Sequence, residues 1–269
     1  MSEDVNCTTQ RVGAPPRPVT ESPSLFRPGA FDEDDTPPAY ELKFLLTEEQ
    51  ARDVERRVRG RLSPDPHADP ALDGAYRTTS LYTDTAQFDV FRRVGEFGRS
   101  KYRVRRYGQA GPAFLERKDK NGDRVRKCRV PVPADDLSVL AAPGAPAGWP
   151  GGWFHQQLTI RRLGPVCRIT YDRVAYLGTA DGGTVRLTLD REVRGEAAAG
   201  WDDLRPVGAT PELLPGRVIC EFKFRLALPL LFKELVQALR LNPSPVSKYR
   251  RFVEAAGLAG PATGGPADG

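Results

Sequence analysis

Basic side chains recur at every second position in the segment Lys101–Tyr107, which reads Lys-Tyr-Arg-Val-Arg-Arg-Tyr. Successive side chains of a β-strand point to opposite faces, so Arg103 and Arg105 share one face while Tyr102 and Val104 share the other. Guanidinium groups are suited to bidentate binding of phosphate, and this face therefore has the chemistry to hold a polyanion. A single strand of this kind more often turns its charged face to water. The rest of the chain must decide between the two interpretations.

The same division into one ionic and one apolar face recurs along the chain. Three segments carry the pattern Glu-x-Lys, and they are Glu41/Lys43, Glu116/Lys118 and Glu221/Lys223. Four further segments have ionic or polar alternate positions, at Lys127/Arg129, at Arg168/Thr170/Asp172 and at Arg186/Thr188/Asp190, besides Arg103/Arg105. We expect Cys128, Cys167 and Cys220 to lie on the apolar faces, as small buried hydrophobes do. A sandwich with its ionic faces in water and a barrel with its ionic faces inward both fit this alternation.

The elements that carry these faces are mostly strands joined by turns. The pattern predicts about eight strands, with a strong hairpin signal at Asn121-Gly122. Thr47 predicts the start of a helix that ends near Gly60. Further helices are expected at 135–140, 152–160, 229–240 and 247–256. Strands and helices do not alternate and there is no Gly-rich phosphate loop, so a parallel nucleotide-binding fold is disfavoured. We predict an α+β protein that is mainly β, with an antiparallel barrel or strongly curved sheet.

Composition divides the chain into one domain and two tails. Residues 1–38 are rich in Pro, Ser, Thr and acids, and residues 257–269 are mostly Gly, Ala and Pro, so both are expected to be disordered. The folded domain is predicted at 39–256. The acidic run 32–35 is interpreted as a solvating linker.

The composition also excludes several classes of function. The net charge of +5 and pI of about 9.1 favour anionic partners. The four cysteines form no C-x-x-C pair, and the two histidines, His67 and His155, lack a catalytic context, which argues against zinc sites and His-dependent catalysis. No apolar run approaches the roughly 18 residues that span a membrane, and the N-terminus lacks a secretory pattern, so we expect a cytoplasmic protein without a transmembrane segment.

Taken in order, the segments resemble a known family. They are Tyr40-Glu-Leu-Lys-Phe44, Ser80-Leu-Tyr-Thr-Asp84, Lys101-Tyr-Arg-Val-Arg-Arg-Tyr-Gly108, Phe114-Leu-Glu-Arg-Lys118, Ile169-Thr-Tyr-Asp-Arg173, Val185-Arg-Leu-Thr-Leu-Asp190, Cys220-Glu-Phe-Lys-Phe224 and Ser247-Lys-Tyr-Arg-Arg251. From about 39 to 255 the chain resembles the VTC domain, the polyphosphate polymerase branch of the triphosphate tunnel metalloenzymes. The resemblance implies an eight-stranded antiparallel β-barrel that forms a triphosphate tunnel, with helices packed outside.

The resemblance also implies an activity and a set of site residues. Members of this branch transfer the γ-phosphate of ATP onto a growing inorganic polyphosphate chain with the help of Mn²⁺ or Mg²⁺. The phosphate ligands carried over are Lys43, Arg103, Arg105, Lys118, Lys127, Arg168, Arg186 and Lys248, with Ser247 beside Lys248 at a helix start. Glu221 is the expected metal ligand. ATP, polyphosphate and pyrophosphate are therefore the expected partners, and nucleic acid is not.

Three alternatives stay open at this point. A phosphate nucleophile is already ionised and needs no general base, whereas hydrolysis needs an activated water, for which Glu116, Asp172 or Asp190 are candidates. A tunnel triphosphatase is therefore the alternative enzyme. A non-catalytic polyphosphate-binding module is the second alternative, and nucleic-acid binding through Tyr102 and Tyr107 is the third.

Overall fold

The computed structural model describes residues 39–121 and 124–260. The expected tail 1–38, most of the expected tail 257–269, and Gly122 of the expected hairpin turn lie outside these residues. The first four residues of the C-terminal tail, 257–260, are described and follow directly on the last helix, whose end is marked by the positive φ of Gly257.

Eight long strands form a closed antiparallel barrel, which confirms the predicted fold. These eight are β1 (Ala39–Thr47), β3 (Tyr76–Asp84), β4 (Ser100–Tyr107), β5 (Ala113–Asn121), β6 (Arg124–Val132), β7 (Gly164–Ala180), β8 (Gly183–Ala197) and β9 (Arg217–Phe224), and a ninth, short strand is β2 (Ser63–Pro64). Their order around the barrel is β7-β3-β4-β5-β6-β1-β9-β8, and pairing of β7 with β8 closes it. The two-residue β2 pairs with the edge of β7.

Helices surround the barrel, and the last of them enters one side of one of its ends. They are α1 (Glu48–Val58), α2 (Asp89–Arg92), α3 (Gly152–Arg161), α4 (Leu230–Ala238) and α5 (Lys248–Ala255), with 3-10 turns at Pro70–Leu72, Gly95–Gly98 and Ala134–Ala141. As predicted from Thr47, α1 begins with a capping box, in which Thr47 and Gln50 each bind the other's backbone N–H. No helix in the described part of the chain is long and apolar enough to cross a membrane.

The apolar faces of the strands mostly point outward beneath the helices. Against α1 and α4 lie Phe44, Leu187 and Phe222, and the ring of Phe222 stacks on Phe232 with centroids 4.3 Å apart. Beneath α3 and the 3-10 turn Ala134–Ala141, a second cluster contains the outward residues of β4 and β5. Because burial of these faces supplies the main stabilising free energy, the ionic faces must turn to the barrel interior.

Helix α5 fills one side of one end of that interior, where it packs against β3, β7 and β8. The ring of Tyr249 stacks on Tyr82 with centroids 5.7 Å apart. Phe252 packs on the backbone of β8 at Gly195, where an added Cβ would lie 2.6 Å from the Phe252 ring. A side chain larger than hydrogen at 195 would therefore push α5 out of the barrel.

The apolar packing of α5 changes which face of β7 points into the barrel. Cys167 is paired across the sheet with Tyr82, and it shares a face with Ile169 and Tyr171. Cys167 therefore lies on an apolar face, as predicted, but this face points into the barrel and the ionic face of this part of β7 points outward. The physical reason is that α5 makes this part of the interior apolar, so that the polar residues of β7 face outward instead.

Candidate functional site

A cavity of about 500 Å³ occupies the rest of the barrel interior. Thirteen Lys or Arg side chains and only two Glu line it, so it is strongly positive. Nine of the ten residues predicted for the site lie around it, and they are Lys43, Arg103, Arg105, Lys118, Lys127, Arg186, Ser247, Lys248 and Glu221. The size is within the range of ligand-binding pockets.

Strand pairing brings these side chains together. Lys101 of β4 lies opposite Lys118 of β5, which in turn lies opposite Lys127 of β6. On the other side of the barrel, Lys43 of β1 lies opposite Glu221 of β9. Like charges directly opposite each other destabilise a sheet, so this arrangement needs acids from neighbouring positions to hold it.

Glu116 is the first of those acids, and it is buried among cations. One of its carboxylate oxygens accepts a hydrogen bond from Arg103 Nε at 2.6 Å, while the other lies 3.0 Å from Lys127 Nζ and 3.5 Å from Arg129 Nε. Burial by itself raises the pKa of Glu116, but Arg103 and Lys127 hold it well below its usual range. The carboxylate therefore stays ionised and fixes the positions of the cations around it.

Asp190 plays the same part on the opposite wall. It accepts two hydrogen bonds from Arg173, at 2.6 and 2.8 Å, and one from Lys248 of α5. Burial raises the pKa of Asp190, yet Arg173 and Lys248 lower it further than burial raises it. The ammonium of Lys248 also lies 4.2 Å from the ring centroid of Tyr171, so the start of α5 is fixed within the cavity.

Glu221 has fewer partners than either of these acids. Its carboxylate lies 3.2 Å from Lys43 Nζ, and its side chain is 21% exposed to the cavity. Glu41, on the neighbouring strand, accepts a hydrogen bond from Lys118 at 2.6 Å. Burial raises the pKa of Glu221, but Lys43 and Lys118 hold it well below its usual range.

The carboxylates of Glu221 and Glu41 fit a divalent cation that takes its remaining ligands from phosphate and water. No group of three or more His, Cys, Asp or Glu capable of binding a metal occurs within residues 39–121 and 124–260, so a site made of protein ligands alone does not arise there. Mg²⁺ and similar ions are held instead by one or two carboxylates together with substrate phosphates and water. Glu221, with Glu41 nearby, offers that number of carboxylates.

Lys101 differs from the other lysines of the cavity. Within the described part of the chain it makes no hydrogen bond or ion pair, and the charged groups nearest to it include Lys118, Lys43, Arg93 and Arg250. Burial and the charges of Lys118 and Lys43 lower the pKa of Lys101 to about 8. An anion bound beside Lys101 would remove this repulsion.

Arg168 lies apart from the other predicted ligands. Its guanidinium contacts Asp203 and Glu196 on the outer side of β7 and does not line the cavity. Sequence reasoning took Arg168, Thr170 and Asp172 as the inward face, and this parity is wrong by one residue. The inward positions are Tyr171 and Arg173, both of which line the cavity.

Several cavity residues were not assigned from the sequence. Arg173 was missed because its apolar neighbours suggested the opposite parity, although it lies two residues after Tyr171 within the quoted motif. Tyr82 was missed because a tyrosine on a mixed strand gives no ionic signal. Arg103 and Arg105 lower the pKa of Tyr82 even though burial raises it, which reflects the positive field of the cavity.

The histidine of α3 and the three acids considered as general bases are not placed to activate water in the cavity. No histidine lines the cavity in the described residues, since His155 lies on α3 and contacts the backbone oxygen of Ala142. Asp172 faces away and is held by Arg77 through two bonds of 2.8 Å. Glu116 and Asp190 are bound by cations. The arrangement is therefore suited to binding and neutralising a polyanion.

Comparison with known proteins gives one extensive match. The profile of the VTC domain family matches residues 38–256. No curated protein sequence matches the chain.

Solved structures resemble the chain only weakly. One is a proposed adenylate cyclase of Bacillus halodurans, with 13% identity, coverage of 78% of this chain and 94% of that chain, and a TM-score of 0.45. A second, from Hippeastrum, is a proposed adenylyl cyclase for which a dominant triphosphatase activity is reported, with 13% identity, coverage of 82% and 96%, and a TM-score of 0.47. A third, from Pyrococcus horikoshii, has 15% identity, coverage of 81% and 99%, and a TM-score of 0.43.

Proposed function

Since the chain belongs to the VTC domain family, we propose that it is a polyphosphate polymerase that transfers the γ-phosphate of ATP to a growing polyphosphate chain. The observation that carries this proposal is the excess of cations in a cavity whose acids are already paired with cations. A triphosphate carries about four negative charges, and phosphoryl transfer depends mainly on positioning and on neutralising them. Because ATP is the donor, we propose a cytoplasmic enzyme.

Arg103 and Arg105 are the central phosphate-binding residues of this proposal. Glu116 orients Arg103 by accepting a hydrogen bond from its Nε. Ser80 orients Arg105 in the same way, and its hydroxyl oxygen accepts a hydrogen bond from Arg105 Nε at 3.0 Å. Guanidinium groups held in this way are positioned before substrate arrives, so little free energy is lost in ordering them. Lys127 and Lys248 add charge from two other walls of the barrel, and Ser247 caps the helix on which Lys248 lies.

Glu221 is the residue that would hold Mn²⁺ or Mg²⁺, with Glu41 close by. A divalent ion bound there would supply charge neutralisation at phosphate oxygens. In the same part of the cavity, burial lowers the pKa of Lys43, but its ion-pair partner Glu221 and the charge of Glu41 raise it further. Lys43 therefore remains charged and keeps Glu221 in position.

The acceptor in this reaction is a terminal phosphate oxygen, which is ionised at neutral pH. The residues of the cavity need only to bring that oxygen in line with the donor phosphate. This requirement agrees with a lining that contains many cations and no histidine within the described residues.

The test is to incubate the purified chain with ATP and Mn²⁺ and to separate the products on a gel. We expect ADP and a ladder of polyphosphate, and no products when the metal is chelated. Orthophosphate without polymer would replace the proposal with a triphosphatase. Tight pyrophosphate binding without turnover would replace it with a binding module. Glu234→Gln, on the outer helix α4, is the control variant and should behave as the unmodified chain.

A further inference from the structure

The two ends of the cavity differ in exposure. Six of the lining residues are exposed, and all of them lie where β4 begins, where β5 ends or in the loop before α5; they are Arg93, Gly98, Arg99, Lys120, Pro243 and Pro245. The opening at this end, beside α5, is the open mouth of the cavity. It faces solvent through charged side chains and prolines.

At the other end, side chains from several strands meet across the barrel. Tyr107 contacts Tyr76 and Phe114 edge to face, with ring centroids 5.8 and 5.7 Å apart. The guanidinium of Arg129 lies 3.5 Å from the centroid of Phe114, and Arg186 donates a 2.8 Å hydrogen bond to the Tyr76 hydroxyl. We call these five residues, Tyr76, Tyr107, Phe114, Arg129 and Arg186, the stopper.

The stopper draws on five of the eight barrel strands, namely β3, β4, β5, β6 and β8. Tyr76 is 8% exposed, Phe114 3% and Arg129 7%, so little solvent reaches them. Asp65, from the loop after β2, is also buried and adds a 3.0 Å ion pair to Arg186. Close-packed aromatic rings of this kind leave no passage for a hydrated phosphate chain.

We propose that the stopper closes the cavity at this end, so that a linear phosphate chain enters and leaves by the open mouth, and that Tyr107 limits how many phosphates are held. Tyr107 is the central member because it contacts the two other rings and also lines the cavity. The choice of linear polyphosphate as the ligand rests on the proposed function. It adds that short linear oligophosphates occupy the cavity fully, and that further phosphates of a longer chain remain outside the mouth.

The test measures binding of two probes, tripolyphosphate and a long-chain polyphosphate, by calorimetry without ATP or metal. For the unmodified chain we expect the two affinities to be similar when expressed per chain. For Tyr107→Ala we expect the ratio of long-chain to tripolyphosphate affinity to rise by about tenfold, since the longer chain gains a charge-assisted contact with Arg129, which lies behind the Tyr107 ring.

Three further variants make the outcome decisive. Tyr107→Phe keeps the ring and should keep the original ratio. Tyr40→Ala removes an aromatic ring from outside the cavity, where Tyr40 stacks on Phe224, and should also keep it. Tyr107→Thr replaces the alanine variant if that one does not fold, because a β-branched residue is favourable in a strand.

An unchanged ratio in a folded Tyr107→Ala or Tyr107→Thr protein would overturn the proposal, as would a strong preference for the long chain that all variants share. Because no turnover is measured, this result is separate from the fate of the polymerase proposal. If the unmodified chain has no polymerase activity but the affinity ratio still rises in Tyr107→Ala, the conclusion that the stopper closes the unmodified cavity stands.

Discussion

Two carboxylates of the barrel interior, Glu116 and Glu221, have the same side chain and very different surroundings. Glu116 is 1% exposed and three cations contact it directly, whereas Glu221 is 21% exposed and pairs with one lysine. A carboxylate with all its oxygens engaged can only hold protein groups in place. One with a free side towards the cavity can also bind a ligand. The comparison teaches that, for these two acids, surroundings rather than residue type decide which one is enclosed by protein groups and which one is accessible to a ligand.

The largest effect is expected when the Glu116 cluster is broken. Glu116→Gln should lower the free energy of unfolding by about 3–5 kcal/mol, because it leaves buried cations without their acid. Urea denaturation measures this loss. Tripolyphosphate should then stabilise the variant more than it stabilises the unmodified chain, since the anion replaces the missing charge.

The control for this change is Glu234→Gln, whose side chain is 46% exposed and pairs with Arg61. An exposed pair is worth at most about 1 kcal/mol, so the control should lose little. A Glu116→Gln protein as stable as the control would contradict the structural role of Glu116.

Glu221→Gln should instead affect activity more than stability. If Glu221 binds the metal, Mn²⁺-dependent turnover should fall by on the order of 100-fold, the equivalent of about 3 kcal/mol of lost charge stabilisation. Turnover of ATP at saturating metal measures this, and the urea midpoint shows whether the fold is kept. Full activity in the variant would remove the metal assignment.

The two arginines of β7 provide the next test. Arg173→Ala should weaken tripolyphosphate binding by about tenfold, because Arg173 lines the cavity and orients Asp190. Arg168→Ala should leave that affinity unchanged, since its buried guanidinium contacts Asp203 and Glu196 outside the barrel, although the protein should be less stable. Calorimetry distinguishes them, and equal losses of affinity would contradict the observed parity of β7.

The smallest effect concerns Lys101, a cation with no acid beside it in the described residues. Since its pKa is about 8, it is charged at pH 7 and mostly neutral at pH 9. Its attraction for phosphate is therefore present below pH 8 and is lost as the pH rises. Tripolyphosphate affinity should fall about threefold across this interval, as expected for one partly exposed charge.

Lys101→Met should flatten that pH dependence while keeping the length of the side chain. Affinity titrations at several values between pH 7 and pH 9 compare the two proteins. A slope that persists in the variant would assign the titration to another group.

Much of this architecture could be predicted from alternation along the strands. The inward positions of β1, β4, β5, β6, β8 and β9 follow from a simple rule, that ionic residues face the cavity and apolar residues face the helices. The rule holds wherever the interior is a cavity. It fails on β7 at Cys167 and Arg168, because α5 fills that part of the interior with Tyr249 and Phe252.

Other features depend on contacts between distant parts of the chain. Asp65 reaches Arg186 across 121 positions, and nothing in the sequence around Asp65 suggests an ion pair inside a barrel. The stopper likewise requires rings from three separate strands to meet. Such contacts are set by the strand register and by barrel closure, which no local pattern encodes.

The position of Lys248 at the start of α5 has a consequence for how the protein is made. The barrel strands are synthesised before α5, and they must pair over long sequence separations, which is slow compared with the formation of local structure. Until α5 docks, Asp190 lacks one of its two cations. The inner surface of the barrel at Ile169 and Gly195 also remains open to water. A nascent chain that has not yet released its last helix from the ribosome therefore has an incomplete cavity wall, and we expect it to bind tripolyphosphate more weakly than the finished domain.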